Sequence, residues 1–183
     1  MTTFDLQPRL ANALVRIEPL AAADFEALYA VARDPGIWEQ HPNPDRHRRE
    51  VFETFFRGAI ESRGALLVFD AVSGALIGSS RYYDLDAAAG TVAIGYTFID
   101  RAHWGRGHNR ALKTLMLDHA YGQVERVLFH VGERNLRSRR AMEKLGAVLI
   151  GQAPIAYHGE PANLNVIYAI DKAAWAASPA RSP

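Results

Sequence analysis

The sequence predicts one mixed α/β (α+β) domain: a mostly antiparallel sheet of about six or seven strands with helices on both faces. Three observations carry this. Apolar residues switch repeatedly between a period near two and a period near 3.6 along the chain. Val72-Ser73-Gly74 separates two short apolar runs, which is a hairpin signal. Later, helical segments separate strand-like runs, which is the pattern of a crossover between parallel strands.

Taken in order, Leu14-Val15-Arg16-Ile17 reads as a short strand closed by Pro19. Residues 22–33 place Phe25, Leu28, Tyr29 and Ala32 on one helical face, and Asp34-Pro35-Gly36 stops the run. A loop rich in Pro, His and Trp covers Ile37 to His47. A second helix over roughly 48–62 turns Val51, Phe55, Phe56 and Ala59 inward. The hairpin pairs Ala65-Leu66-Leu67-Val68-Phe69 with a strand that starts at Ala75 and continues to Tyr83. After the turn Ala88-Ala89-Gly90, Thr91 to Ile99 is the next strand. Arg106 to Tyr121 is helical, aligning Leu112, Leu115, Met116 and Ala120. Arg126 to Val131 is a buried-type strand, and Asn135 to Leu145 a helix ended by Gly146. Ala147 to Ile150 and Leu164 to Ile170 supply the last strands. Residues 1–175 make the domain, and the small, polar segment 176–183 reads as a disordered tail.

Composition narrows the function classes. With 49% hydrophobic and 22% charged residues in 183, the chain suits a soluble globular protein with a sizeable core. The net charge of +1 gives no whole-molecule field toward nucleic acid or anionic lipid, so an anion site has to be local. No cysteine is present, which excludes disulfides, thiolate metal sites and a cysteine nucleophile. No metal site is read from the sequence. The start has no apolar stretch of signal-peptide length, and no run approaches the ~20 residues that span a bilayer. The expectation is a cytoplasmic protein, monomer or homodimer, with no membrane or nucleic-acid partner.

The sharpest local feature runs from Phe98 and Ile99 through Trp104-Gly105-Arg106-Gly107-His108-Asn109 to Arg110 and Lys113. A strand enters a loop with two glycines one residue apart, and a helix starts at once. The amino end of a helix presents unpaired N–H groups and partial positive charge, and glycines let a ligand approach the backbone closely. Arg101, Arg106, Arg110 and Lys113 add cations against Asp100. A pyrophosphate fits such a site. A glycine turn that merely starts a helix fits the same pattern, which is neither a Walker loop nor the full dinucleotide fingerprint. Beyond the next strand, Asn135 can cap a helix and Ser138 lies one turn on, near the same face.

Together these two segments resemble the GNAT acetyltransferases, and more closely the branch that includes the ribosomal-protein N-terminal acetyltransferases. The family's Gln/Arg-x-x-Gly-x-Gly/Ala loop falls on Trp104 to Asn109, and its Asn-x-x-Ser/Ala helix start on Asn135 to Ser138. Ala93-Ile94-Gly95-Tyr96 and Lys144-Leu145-Gly146 are also similar to that branch. Four positions depart: Trp104 stands for Gln or Arg, Asn109 for a small residue, Ala93 for a strand glutamate, and Met142 for a helix tyrosine that protonates the leaving thiolate.

The resemblance implies a sheet splayed between its fourth and fifth strands, with acetyl-CoA as co-substrate. It implies direct transfer to an amine, a protein N-terminus or a small molecule, in a ternary complex. The coenzyme-binding set is then Phe98, Ile99, Trp104, Gly105, Arg106, Gly107, His108, Asn109, Arg110, Asn135 and Ser138. A backbone N–H near Phe98 on a bulged strand would face the oxyanion. Tyr96, Asp100, His103, His130 and His158 are candidates for the base, with Tyr96 and Ser138 put forward as the catalytic pair and Ser138 as the acid. The loop Ile37-Trp38-Glu39-Gln40-His41, Tyr82 and Tyr83, and the late turn Tyr157-His158-Gly159-Glu160 are expected around the acceptor, since loops commonly carry specificity, and Trp38 fits a core plug equally well. Two other readings stay open: a non-catalytic acyl-CoA sensor, and an RNA-binding surface of Arg134, Arg137, Arg139 and Arg140 with Arg106 and Arg110.

Overall fold

A computed structural model describes residues 4–181. The strands are β1 (Leu10–Ala11), β2 (Val15–Pro19), β3 (Ala65–Asp70), β4 (Leu76–Asp86), β5 (Thr91–Ile99), β6 (Arg126–Gly132), β7 (Val148–Ile155) and β8 (Asn163–Asp171). The helices are α1 (Phe25–Ala32), α2 (Pro35–Trp38), α3 (Arg49–Ser62), α4 (His108–Ala120), α5 (Leu136–Leu145) and α6 (Lys172–Ala176). The eight strands form one sheet in the order β1-β2-β3-β4-β5-β6-β8-β7. The expected seven are all present. The eighth is the two-residue β1, too short to leave a periodic signal.

Neighbouring strands are antiparallel except β5 and β6, which run parallel. That pairing covers only Thr91–Ala93 against Arg126–Leu128; beyond it the two strands separate. The crossover from β5 to β6 runs through α4, whose amino end follows the carboxyl end of β5. Ligands in open α/β sheets commonly bind at such a point.

The sheet is covered on both faces. Leu66 and Val68 of β3 join one apolar cluster with Leu112, Met116 and Leu117 of α4 and Met142 and Leu145 of α5. Ala65 and Leu67, the alternate residues, join a second cluster with Leu28, Trp38, Phe52 and Phe55 under α1 to α3. Two helix ends follow local chemistry read from the sequence. Asn135 caps α5 by accepting from Ser138 N–H at 3.1 Å, and Gly146 takes the left-handed conformation at its carboxyl end.

The carboxyl-terminal segment, expected as a loose tail, turns back on α4. Arg110 Nε donates to the Ala180 carbonyl at 3.1 Å, Arg181 pairs with Asp118, and Ala180 is buried. Ser182 and Pro183 lie outside the described residues. Among the described residues, no helix is long and apolar enough to cross a membrane.

Candidate active site

The separation of β5 from β6 opens a cleft of about 770 Å³ that runs from the Gly105–Gly107 loop to an aromatic chamber beneath α2. Its cofactor-facing end is built by the chain between β5 and α4. Asp100 caps a 3-10 turn, Arg101–His103, by accepting from Ala102 N–H at 2.9 Å. Trp104 Nε1 donates to the Ile99 carbonyl at 2.8 Å, and the Arg137 guanidinium lies 4.0 Å over the Trp104 ring. Gly105 (φ 71°) and Gly107 (φ 85°) follow, both in the left-handed region. Nothing stands within 4 Å of where a Cβ on Gly105 would be, and Gly107 would meet only Leu14 Cδ1, at 3.4 Å. The first bond of α4 runs from Ala111 N–H to the Gly107 carbonyl, so the N–H groups of His108 and Asn109 have no partner inside the helix.

Two expectations about this loop need correction. Arg106 is exposed and does not line the cleft. His108 lines it but turns its imidazole into the protein, where Nε2 faces Asp70 Oδ1 at 3.0 Å and the ring meets His103 edge-on at 4.8 Å. Asp70, His103 and His108 each offer a ligand atom within 4.8 Å of the others. That spread is looser than tetrahedral zinc ligands, about 3.4 Å apart for bonds near 2.1 Å, and the Asp70–His108 contact accounts for the closest approach. The trio is a brace that ties the start of α4 to the end of β3.

Asp70 is the fixed member of that brace. Its Oδ2 accepts from both the hydroxyl and the N–H of Ser73. The Ser73 hydroxyl first, then His108, hold its carboxyl far below the usual carboxylate range. The folded state therefore binds this proton less well than the unfolded state, so the stabilisation is complete above pH ~4 and is lost as pH falls below it. Asp70→Asn is expected to melt at a lower temperature than the parent at pH 7, with the gap closing in acid. Calorimetry at pH 7, 5, 4 and 3 reads this; a gap that does not change with pH would refute it.

Along the middle of the cleft, the β4–β5 register passes from Ser79↔Phe98 to Arg81↔Gly95, so β5 carries one extra residue. This bulge places Tyr96 at φ 53°, unusual for a non-glycine residue. The Tyr96 ring is held by the Arg81 guanidinium at 3.8 Å and by edge contacts with Tyr83 and Tyr157, each at 5.1 Å. Burial raises the Tyr96 phenol above its ordinary value, so at neutral pH it keeps its proton and can donate but not act as a base. On the far wall Asn135, Ser138 and Met142 of the α5 segment line the cleft.

At the acceptor end the outcomes are mixed. Trp38 is both core plug and wall: it is 2% exposed, donates Nε1–H to the Ala32 carbonyl at 2.7 Å, packs on Phe98 at 5.0 Å and lines the cleft. His41 also lines it, between Asn43 N–H at Nδ1 and Arg46 Nη1 at Nε2. Burial first, and the charge of Arg46 next, keep this imidazole neutral by pushing its pKa well below the usual value. Tyr82 is not at the site. It is fully buried on the α4 side of the sheet, donating to the Met116 carbonyl at 2.6 Å. Its neighbour Tyr83 points the other way and meets His130 Nδ1 at 3.0 Å. His158 is also misplaced by the sequence reading: its half-exposed side chain pairs with Glu61 at 3.4 Å and does not line the cleft. Asp100, spent on its cap, is likewise absent from the lining, whereas His103 and His130 belong to it.

Arg46 was missed, whereas Tyr157 and Glu160 belong to the late turn expected at the acceptor. Arg46 lines the chamber and makes a two-pronged ion pair with Glu160, Nε to Oε1 at 2.8 Å and Nη2 to Oε2 at 2.6 Å. Tyr157 closes the same wall, donating to Asn165 at 2.9 Å. Lys113, read as a phosphate-side cation, is instead buried against β4 and β5. Among the described residues no aspartate or glutamate lines the cleft, while Arg46, Arg110, Lys113, Arg137, Arg140 and Lys144 do.

The profile of the acetyltransferase (GNAT) domain family matches residues 15–148 of this sequence. No curated protein sequence matches the chain significantly. Among solved structures, a GCN5-related N-acetyltransferase from Brucella melitensis superposes with a TM-score of 0.81 at 20% identity, over 96% of this chain and 82% of that one. RimJ of Mycobacterium smegmatis, solved with CoA-disulfide, gives 0.70 at 18% identity over 91% and 86%. Spermidine N-acetyltransferase of Vibrio cholerae, solved with CoA and spermine, gives 0.65 at 18% identity over 90% and 99%.

Proposed function

The chain belongs to the GNAT acetyltransferase family, and from that premise we propose that it moves an acetyl group from acetyl-CoA to a primary amine by direct transfer in a ternary complex. The observation that carries this is the continuity of the cleft: it joins the open Gly105–Gly107 loop to the aromatic chamber through the gap between β5 and β6. The diphosphate rests on the N–H groups of the loop and of His108 and Asn109, at the positive end of α4. Pantetheine lies in the gap along Phe98 and Ile99. The thioester carbonyl meets the N–H of Phe98 beside the bulge, a donor fixed before the reaction starts.

On this reading His130 is the base. Its Nδ1–H donates to the Tyr83 hydroxyl oxygen, which leaves Nε2 without a proton, and burial lowers its pKa, so it is not an imidazolium at neutral pH. Tyr96 shapes the chamber and can donate a hydrogen bond to the acceptor. Ser138 offers its hydroxyl to the departing sulfur. The acceptor is a protein N-terminus or a small-molecule amine, and the protein works in the cytoplasm. A cleft without a carboxylate favours acceptors that bear no second cation.

Purified protein at saturating acetyl-CoA, with a panel of amines and amino-terminal peptides, tests the reading by thiol release. Release with at least one amine is expected. Coenzyme binding without release for any acceptor would favour the sensor reading, which Met142 on the cleft wall supports. RNA binding is disfavoured because Arg137 and Arg139 are engaged internally, donating to the Ile37 carbonyl and to Tyr168 and Glu133.

A further inference from the structure

Lys113 is the one buried lysine in the cleft lining, with only 3% of its surface exposed. It sits on α4 a turn and a half past the loop, with its side chain turned to the sheet. Its Nζ donates to Thr97 Oγ1 at 2.5 Å and lies 3.5 Å from Ser80 Oγ; those two hydroxyls are 2.8 Å apart. Thr97 directly follows Tyr96, the left-handed residue of the bulge. Among the described residues no carboxylate forms an ion pair with Lys113.

A buried ammonium without a counter-ion destabilises a fold, and a leucine or methionine would pack this place at less cost. A costly ionisable group on the wall of a cleft is a functional-site candidate. The reaction has a matching vacancy, since among the described residues no carboxylic acid lines the cleft and Met142 cannot donate a proton.

Resting on the acetyl-transfer reading above, we propose that Lys113 is the proton donor to the thiolate of coenzyme A as it leaves. The acceptor nitrogen forms its bond to the acetyl carbon, and the C–S bond breaks with its electron pair going to sulfur. The proton on Lys113 Nζ passes to that sulfur and gives the free thiol. His130 takes the proton lost by the amine and releases it to water, and Lys113 is recharged from water. Thr97 and Ser80 hold Nζ in place, and Ser138 serves as a hydrogen-bond donor to sulfur rather than the proton source. Desolvation lowers the lysine pKa to about 7, which brings its proton within reach of a thiolate at neutral pH.

Lys113→Met keeps the length and removes the charge. Three readouts apply: coenzyme A affinity by calorimetry, the pH profile of kcat for thiol release, and thermal stability against pH. The expected result is affinity within about threefold of the parent with a kcat roughly a hundredfold lower, the low end for a lost acid–base group. The parent's fall in kcat as pH rises through about 7 should disappear. The parent's stability should also rise from pH ~7 toward ~10, where its unfolded chain binds this proton and its folded state does not, and the variant should lack that rise. A variant with parental kcat and an unchanged high-pH limb overturns the proposal, as does a loss of coenzyme affinity equal to the loss of rate. If the parent releases thiol with no amine, both this assignment and the transfer reading fall; if the parent turns over and the variant matches it, only this assignment falls. Lys113→Gln, measured in the same way, decides the matter if the methionine variant does not fold.

Discussion

Gly107→Glu is expected to weaken coenzyme A binding by about tenfold or more while the protein stays folded. Gly107 is the cap of α4 at φ 85°, a conformation that costs an L-residue roughly 1–2 kcal/mol. The new Cβ meets only Leu14 Cδ1 at 3.4 Å, an ordinary contact, so the damage does not spread into the core. The carboxylate then lies at the positive end of the helix, where it competes with the diphosphate for the same N–H groups and repels it. That competition is worth ~1–2 kcal/mol, about tenfold in affinity, whereas the backbone term lowers the stability of free and bound protein alike. Gly107→Ala carries the backbone term alone and should lose stability while keeping nearly parental affinity. Calorimetric titration with coenzyme A measures both. Parental affinity in the glutamate variant would remove the loop from the binding site, and with it the basis of the proposed activity.

The parts of the fold that local chemistry dictates were legible. The glycine pair, the Asn135 cap and the Gly146 stop are set by neighbours a few residues away, and each lies where the sequence puts it. Lys113 was misread as a phosphate-side cation, although its spacing carried the signal for burial. It stands three, four and seven residues before Met116, Leu117 and Ala120, so it shares the buried stripe of α4 rather than the phosphate-facing side. Tyr82 was not legible. Ile77 and Tyr82 pack in one cluster although they stand at odd spacing, so alternation is interrupted between them; the β3–β4 register passes from Phe69↔Leu76 to Val68↔Gly78, which leaves one extra residue on β4 at Ile77. A single irregularity of this kind flips every later side chain to the other face, which exchanged Tyr82 for Tyr83. His158 failed differently: its turn sends Tyr157 and Glu160 inward and His158 outward to Glu61. The partner of Glu160 is Arg46, on a distant loop, and no periodicity encodes that pairing.

That pairing should also produce the largest change in stability. Glu160→Ala is expected to lower the unfolding free energy by ~3–5 kcal/mol, the usual cost of stranding one charge of a buried pair. The side chains of Arg46 and Glu160 are 1% and 6% exposed, so solvent does little to replace the lost carboxylate. The remaining neighbours of the guanidinium are the rings of Phe55, Tyr157 and Trp38 at 4.7, 5.3 and 5.6 Å, and His41, a neutral acceptor. Glu160 also accepts from Asn43 Nδ2, and Asn43 in turn accepts from Asn163, so one carboxylate ties the 43–46 loop to the turn before β8. At roughly 2–4 °C per kcal/mol for a chain of this size, the melting temperature should fall by about 10 °C or more. Arg46→Met combined with Glu160→Met should recover most of the loss, because an apolar pair of similar volume carries no desolvation penalty. Chemical denaturation of the parent, both single variants and the double variant closes the cycle. Single losses below ~1 kcal/mol would mean that water reaches the pair, and the chamber wall would then be far less rigid than its geometry implies.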